Sequence, residues 1–541
     1  MHRSAHVDTF ARDRLPPTEL WPALLLDRPE FAYPERLNCV SALLDRWIEK
    51  GEAGRRCLVA PGEAWSYGEL AQRVNRIANV LVGRLGLVPG GRVLLRAANN
   101  PMLVAIYLAV MKAGGIAVAT MPLLRAGELA KPIEVAAIRL ALCDARLTDE
   151  MDKARALAPR LERVVTFNGG DGAGLEAMMA DASPEFAACD TASDDVCLLS
   201  FTSGTTGGPK ATMHFHRDVL AIADAYGAHV LRARGDDLFI GSPPLAFTFG
   251  LGGLVIFPMA VGAASALIEK AGPNDLLEAI ERFRPTILFT APTSYRAMLA
   301  ARGGADLSSL RLCVSAGETL PLPTFEAWKA ATGISLMDGI GATEMLHIFI
   351  ASPPEDIRPG STGRPVFGYE ARIVDRHGVE VPRGTSGELA VRGPTGCRYL
   401  ADPRQTRYVR DGWNVTGDTF VEDEDGYFWF QARSDDMIVS AGYNISGPEV
   451  EASLVAHAAV AECAVVGAPD EARGVIVKAY VVLRPGFAPD RALVAVLQEH
   501  VKADIAPYKY PRAIEFRAEL PKTASGKIQR AALRAEAEGR G

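Results

Sequence analysis

Short apolar runs, often β-branched, alternate along the chain with longer amphipathic segments. Val93-Leu94-Leu95 precedes Leu103–Lys112, Ile116–Ala119 follows, and Leu140–Cys143 comes after a further helical stretch. This rhythm predicts βαβ units, and hence parallel sheets with helices on both faces. It recurs at Ala266–Ile268, Ile287–Phe289 and Leu312–Val314, the last two each followed by a polar or glycine-containing turn. In open α/β sheets such strand ends form ligand sites.

After Ser361 the texture shifts to frequent Gly and Pro with short strands at Tyr369–Val374, Gly387–Val391 and Tyr427–Phe430. Beyond Asp435 it shifts again: Pro448–Ala456, Cys463–Val466, Ala479–Leu483 and Arg491–Val501 read as a small α+β domain. With 541 residues the chain exceeds what one core supports, roughly 250–300 residues. The expectation is an α/β fold: a large N-terminal domain of stacked α/β sheets over 1–434, its β-rich subdomain at about 361–434, and a small domain over 435–541. No internal repeat or low-complexity segment interrupts it.

Composition narrows the function. Hydrophobic residues make up 48% and charged residues 23%, the balance of a soluble globular protein. A net charge of −7 offers no basic footprint for nucleic acid. Eight scattered cysteines without a C-x-x-C read as buried thiols in a reducing cytosol, neither a zinc site nor a disulfide framework. Met1–Pro17 has no apolar signal-peptide region, so a cytoplasmic protein is expected. Gly241–Ile268 carries no charge and is long enough to span a bilayer, but Pro243, Pro244, Pro258 and several glycines break it up. It reads as a buried loop, helix and strand, with no membrane association.

Thr202-Ser203-Gly204-Thr205-Thr206-Gly207-Gly208-Pro209-Lys210 follows the apolar run Val196–Phe201. Glycines let backbone approach a phosphate, hydroxyls add donors and a lysine adds charge. It is not a Walker A loop, because Lys210 follows Pro209 and precedes Ala211. Alone, this run is equally a flexible turn. With Asp338-Gly-Ile-Gly-Ala-Thr-Glu344, Thr416-Gly-Asp418, Ala432-Arg433-Ser434-Asp435 and Pro521-Lys-Thr-Ala-Ser-Gly-Lys527, in that order, it resembles the adenylate-forming superfamily that includes acyl-CoA synthetases. Ala432 departs from the family's usual glycine.

The resemblance implies ATP, Mg²⁺ and coenzyme A as cofactors and co-substrates, small molecules as the only partners, and a monomer or homodimer. It assigns Thr202, Ser203, Gly204, Thr205, Thr206 and Lys210 to the phosphates, and Gly317, Glu318, Thr319, Asp338 and Gly339 to the nucleotide. Thr343 is expected near the α-phosphate, Glu344 at the Mg²⁺, Asp418 at the ribose hydroxyls, and Arg433 at the ribose or phosphates. Asp435 becomes the hinge of a mobile C-terminal domain, and Lys527 the catalytic lysine. Gly442 and Tyr443 are expected at the CoA channel.

Candidate acid-pocket residues are Phe247, Thr248, Phe249, Gly250, Ala316, Ile340, Gly341 and His347. Two aromatics flanked by glycine suit a flat ring, though such a pair is more often plain core. Residues 338–350 resemble benzoate-type aryl-CoA ligases. The block from His6 to Pro17, with Tyr33–Cys39, resembles the 2-aminobenzoate (anthranilate) branch. Anthranilate is therefore the first expected acid and benzoate the second. Other readings are a substituted benzoate, a carrier-protein thiol as acceptor, a fatty acid ligase, and a nucleotide-binding protein without catalysis.

Overall fold

The computed structural model describes residues 2–170, 174–202, 209–433, 437–440, 443–470, 474–505, 507–523 and 526–539. Packing divides the chain into two compact units, residues 1–371 with 391–414, and residues 372–390 with 415–541.

The first unit contains two large sheets. One is six-stranded, in the spatial order Arg163–Phe167, Leu140–Asp144, Arg92–Arg96, Ile116–Thr120, Val196–Thr202 and Lys210–Phe215. All its pairs are parallel except the last. Strands Arg92–Arg96 and Leu140–Asp144 are buried along their whole length, as strands covered on both faces must be. Helix Pro101–Lys112 is buried at every position but Met102, and its terminal Lys112 ammonium is satisfied by Asp45 and Asn75 at 2.7 Å each.

The other sheet is nine-stranded, with a parallel centre built from Arg56–Ala60, Ala264–Ala266, Leu238–Gly241, Ile287–Thr290, Leu312–Ala316 and Leu336–Gly341. Antiparallel strands close both edges. The apolar runs read from sequence coincide with these strands, except that the strand expected at Ala266–Ile268 lies two residues earlier.

The uncharged stretch forms a loop, a helical run over 248–261 with a π-helical middle at Gly252–Ile256, and the strand Ala264–Ala266. Pro258 supplies no N–H to the Leu254 carbonyl four residues back, and that carbonyl accepts the Ser265 hydroxyl at 2.7 Å. Among the described residues no helix is long and apolar enough to cross a membrane.

In the second unit, Asp418–Glu422 pairs antiparallel with Phe428–Arg433. A hairpin, Met437–Ser440 with Tyr443–Ser446, leads into helix Gly447–Ala456. Strands Val460–Asp470, Gly474–Leu483 and Ala513–Arg517 form a three-stranded sheet. Val450, Leu454, Val465, Val481, Leu497 and Val501 fill the core between this sheet and its helices. The chain is thus an α/β protein with a larger α/β unit and a smaller α+β one.

Candidate functional site

Parallel strands Leu312–Ala316 and Leu336–Gly341 end side by side, with Ser315 opposite Asp338 and Ala316 opposite Gly339. Gly317 turns the chain out of the first with φ +89°, a conformation glycine adopts without steric cost. The next residue, Glu318, accepts the Thr293 N–H and hydroxyl at 3.3 Å each, joining two strand-end loops. Thr319 is exposed. Asp338 is partly open, but its Oδ1 is buried without a hydrogen-bond partner. Burial pushes this carboxyl up to about 8, with the Gly339 N–H opposing.

The glycine-rich loop joins two antiparallel strands, with Thr202 directly opposite Lys210. The loop follows a strand, as the sequence pattern predicts, and the strand after it returns antiparallel to the first. Thr202 Oγ1 is buried without a partner. Ser203, Gly204, Thr205 and Thr206 lie outside the described residues.

Lys210 begins the return strand and reaches Glu344 Oε1 at 2.8 Å. Its ammonium also donates to the Tyr399 hydroxyl at 2.5 Å, and that hydroxyl donates to Glu344 Oε1 at 2.5 Å. Burial, and then the Glu344 carboxylate, hold the Tyr399 phenol protonated far above its ordinary range. Residues 398–400 run beside the Lys210 strand, the Met213 N–H donating to the Arg398 carbonyl at 2.8 Å and the Leu400 N–H to the Ala211 carbonyl at 2.9 Å. Thr395 donates to the Met345 carbonyl at 2.7 Å, tying the same segment to the short helix Thr343–Met345. This segment therefore fixes the loop lysine against the glutamate. Glu344 is almost buried, and no described donor meets its Oε2. One hard carboxylate oxygen left free fits Mg²⁺.

His347 sits in an aromatic cage: Phe257 at 4.5 Å between ring centroids, Tyr226 at 5.4 Å, Phe249 at 5.8 Å and Phe289 at 6.5 Å. Neither ring nitrogen has a hydrogen-bond partner. Burial pushes the imidazole down to about 3, the nearby Phe249 carbonyl opposing. Glycine makes the cage possible, since a Cβ on Gly252 would meet His347 Cδ2 at 2.3 Å and one on Gly253 would meet the Phe289 ring at 2.7 Å.

Of the expected pocket, Phe249 and His347 come together. Phe247, the residue before the helix Thr248–Leu251, is 37% exposed and is not among the rings described around His347. Thr248 and Ala316 are buried, Ile340 is half-buried and Gly341 exposed. Gly250 packs on the Pro244 carbonyl, which its Cβ would meet at 2.3 Å.

Asp418 and Arg433 are directly opposite on neighbouring antiparallel strands of the second unit, and Asp418 is buried. Lys527 belongs to a tight turn in which Thr523 Oγ1 accepts the Lys527 N–H at 3.1 Å and the Lys527 carbonyl accepts the Thr523 N–H at 2.7 Å. Lys527 is exposed and makes no ion pair with a described residue, whereas Lys522 is paired with Glu462 at 2.8 Å. Asp435 and Gly442, and the side chains of Arg433 and Tyr443, lie outside the described residues.

The cysteines are free, and one group converges: Cys39, Cys197 and His216. The Cys39 N–H donates to His216 Nδ1 at 3.2 Å, which occupies the nitrogen that faces the thiols.

Tyr399 and Tyr226 were not singled out in the sequence. Tyr399 is 55 residues from Glu344 and 189 from Lys210, and no local pattern marks it.

The AMP-binding enzyme family model matches residues 44–399, more than half the chain, and the model of that enzyme's C-terminal domain matches 449–527. A benzoate–CoA ligase from Thauera aromatica is 38% identical over 512 residues, 94% of this chain and 97% of that protein. The crystal structure of the anthranilate CoA ligase AuaEII in complex with anthranoyl-AMP superposes with a TM-score of 0.89 at 38% identity, covering 94% of this chain and 99% of that one. A benzoate CoA ligase from Burkholderia xenovorans LB400 does so at 0.83 and 32%, covering 92% and 100%. The chain belongs to the AMP-binding enzyme family, the adenylate-forming AMP-dependent acid–CoA ligases, in the benzoate-type aryl-CoA ligase branch.

Proposed function

We propose that this chain activates anthranilate, or a closely related benzoate, with ATP to an acyl-adenylate, releasing pyrophosphate, and transfers the acyl group to CoA, giving the aryl-CoA thioester and AMP. The observation that carries the choice of acid is His347, a buried neutral imidazole with two unpartnered nitrogens, set among four aromatic rings. An aromatic wall suits a ring, and an unpaired buried polar group rewards a substrate that bonds it. The ortho-amino group of anthranilate supplies that bond; unsubstituted benzoate leaves it unmade. The relatives named for benzoate support the second reading, benzoate itself.

A carboxylate attacking the α-phosphate approaches another anion, so the barrier is electrostatic and positional. In this reading Lys527 bridges the two anions, Lys210 and the glycine-rich loop hold the outer phosphates, and Thr343 lies at the α-phosphate. Asp418 holds the ribose and Arg433 the ribose or phosphates, while Asp338, Gly339 and the Gly317–Thr319 turn bind the nucleotide. Glu344 would hold Mg²⁺, which when bound neutralises charge on the pyrophosphate. Asp435, at the boundary between 1–434 and a mobile 435–541, is the hinge that withdraws Lys527 so that the CoA thiol can enter past Gly442 and Tyr443.

Competition between anthranilate and benzoate tests the choice of acid. The reading expects higher kcat/KM for anthranilate, since a site that bonds a substituent discriminates against its absence. Preference for benzoate overturns it in favour of the second reading.

A further inference from the structure

Glu344 uses only one of its two carboxylate oxygens within the described protein. Oε1 receives both the Tyr399 hydroxyl and the Lys210 ammonium, while no described donor meets Oε2. We propose that Tyr399 is a positioning residue that anchors Glu344 Oε1 so that Oε2 is presented to the divalent cation. This rests on Glu344 being the cation's ligand.

The two anchors are not equivalent. Lys210 carries a positive charge that repels a cation beside the same carboxylate, and in the proposed reaction it also serves the phosphates. Tyr399 is a neutral donor and can stay on Oε1 beside a metal. Its own position is set by backbone: its N–H donates to Gln405 Oε1 at 2.9 Å, and its neighbours Arg398 and Leu400 bond to the strand that carries Lys210. The ring packs edge-on to Tyr408, with centroids 5.8 Å apart. Partners that orient a metal ligand in this way commonly account for tenfold or more in metal affinity.

The test is binding of α,β-methylene-ATP by calorimetry, with Mn²⁺ as the probe metal and with chelator in its place. Tyr399→Phe removes one oxygen and keeps the ring. The expected result is that the enhancement produced by Mn²⁺ falls about tenfold, a larger loss than any in metal-free binding, where only the contact to Lys210 is removed. Equal enhancement in the variant and the parent overturns the proposal, as does an equal loss of binding with and without metal, which marks a packing role. Glu344→Gln separates the underlying reading: if it keeps the full Mn²⁺ enhancement, Glu344 is not the ligand, and the role of Tyr399 falls with it.

Discussion

Gly252 lies against His347 so closely that a single added carbon would stand 2.3 Å from the imidazole Cδ2 and 2.7 Å from Nε2. The helical run over 248–261 and the segment after Glu344 are thus fitted to each other at the wall of the proposed acid pocket. Gly252→Ala is expected to displace the imidazole. Overpacking of this kind costs about 1–3 kcal/mol, and KM for the aromatic acid is expected to rise by about tenfold with KM for ATP little changed. In Gly252→Ala/His347→Ala the methyl group has room, so the two stability losses measured in urea should sum to more than that of the double variant. Additive losses would contradict the contact.

Acid sensitivity follows from three buried histidines. His347 and His214 are pushed down to about 3 and His6 to about 4, each chiefly by burial, and none of their ring nitrogens has a partner. Their folded-state values lie below the unfolded one near 6.5, so the unfolded chain takes up protons that the native one refuses. Their contribution is full above about 6.5 and is lost as pH falls toward 4 and then 3, at most about 1.4 kcal/mol per pH unit for each. Asp338 runs the other way: its folded value is raised to about 8, so its contribution is lost as pH rises from about 4 to about 8. Urea midpoints followed against pH are expected to peak near 6.5, and Asp338→Asn to flatten the decline above it.

Lys527 is exposed, with no ion pair to a described residue, as a lysine delivered to a ligand from outside needs to be. Lys527→Ala is expected to abolish pyrophosphate release, by a factor of about 10² or more for loss of a charge stabilising a transition state, while still forming thioester from added acyl-adenylate and CoA. Equal loss of both half-reactions would contradict the assignment.

The central strands of the larger unit were legible as short apolar runs, and Arg92–Arg96 and Leu140–Asp144 are buried along their whole length. The helix read over Pro448–Ala456 is observed at Gly447–Ala456 for a related reason, a Ser446 side chain capping it through the Glu449 N–H at 3.2 Å. What sequence periodicity does not carry is which distant segments meet. Tyr399 in Cys397-Arg-Tyr-Leu400 looks like any core tyrosine, and only the pairing of 398–400 with the Lys210 strand brings its hydroxyl to Glu344. The antiparallel return of the glycine-rich loop was hidden likewise, since strand direction leaves no mark on hydropathy. Gly252 counted as one of several helix-breaking glycines, whereas its role is to admit His347. Asp418 and Arg433 are proposed for the nucleotide from resemblance alone, and they stand directly opposite on paired strands.

In the proposed reaction an aromatic acid is adenylated and then handed to CoA. Purified protein incubated with ATP, Mg²⁺, CoA and a panel of anthranilate, ring-substituted benzoates, benzoate and straight-chain fatty acids, read by pyrophosphate release and by product mass, tests it most directly. Pyrophosphate, AMP and an aryl-CoA mass are expected with anthranilate foremost, and little turnover of long-chain acids. Release of pyrophosphate with fatty acids but no aromatic acid, or with no acid at all, would contradict it.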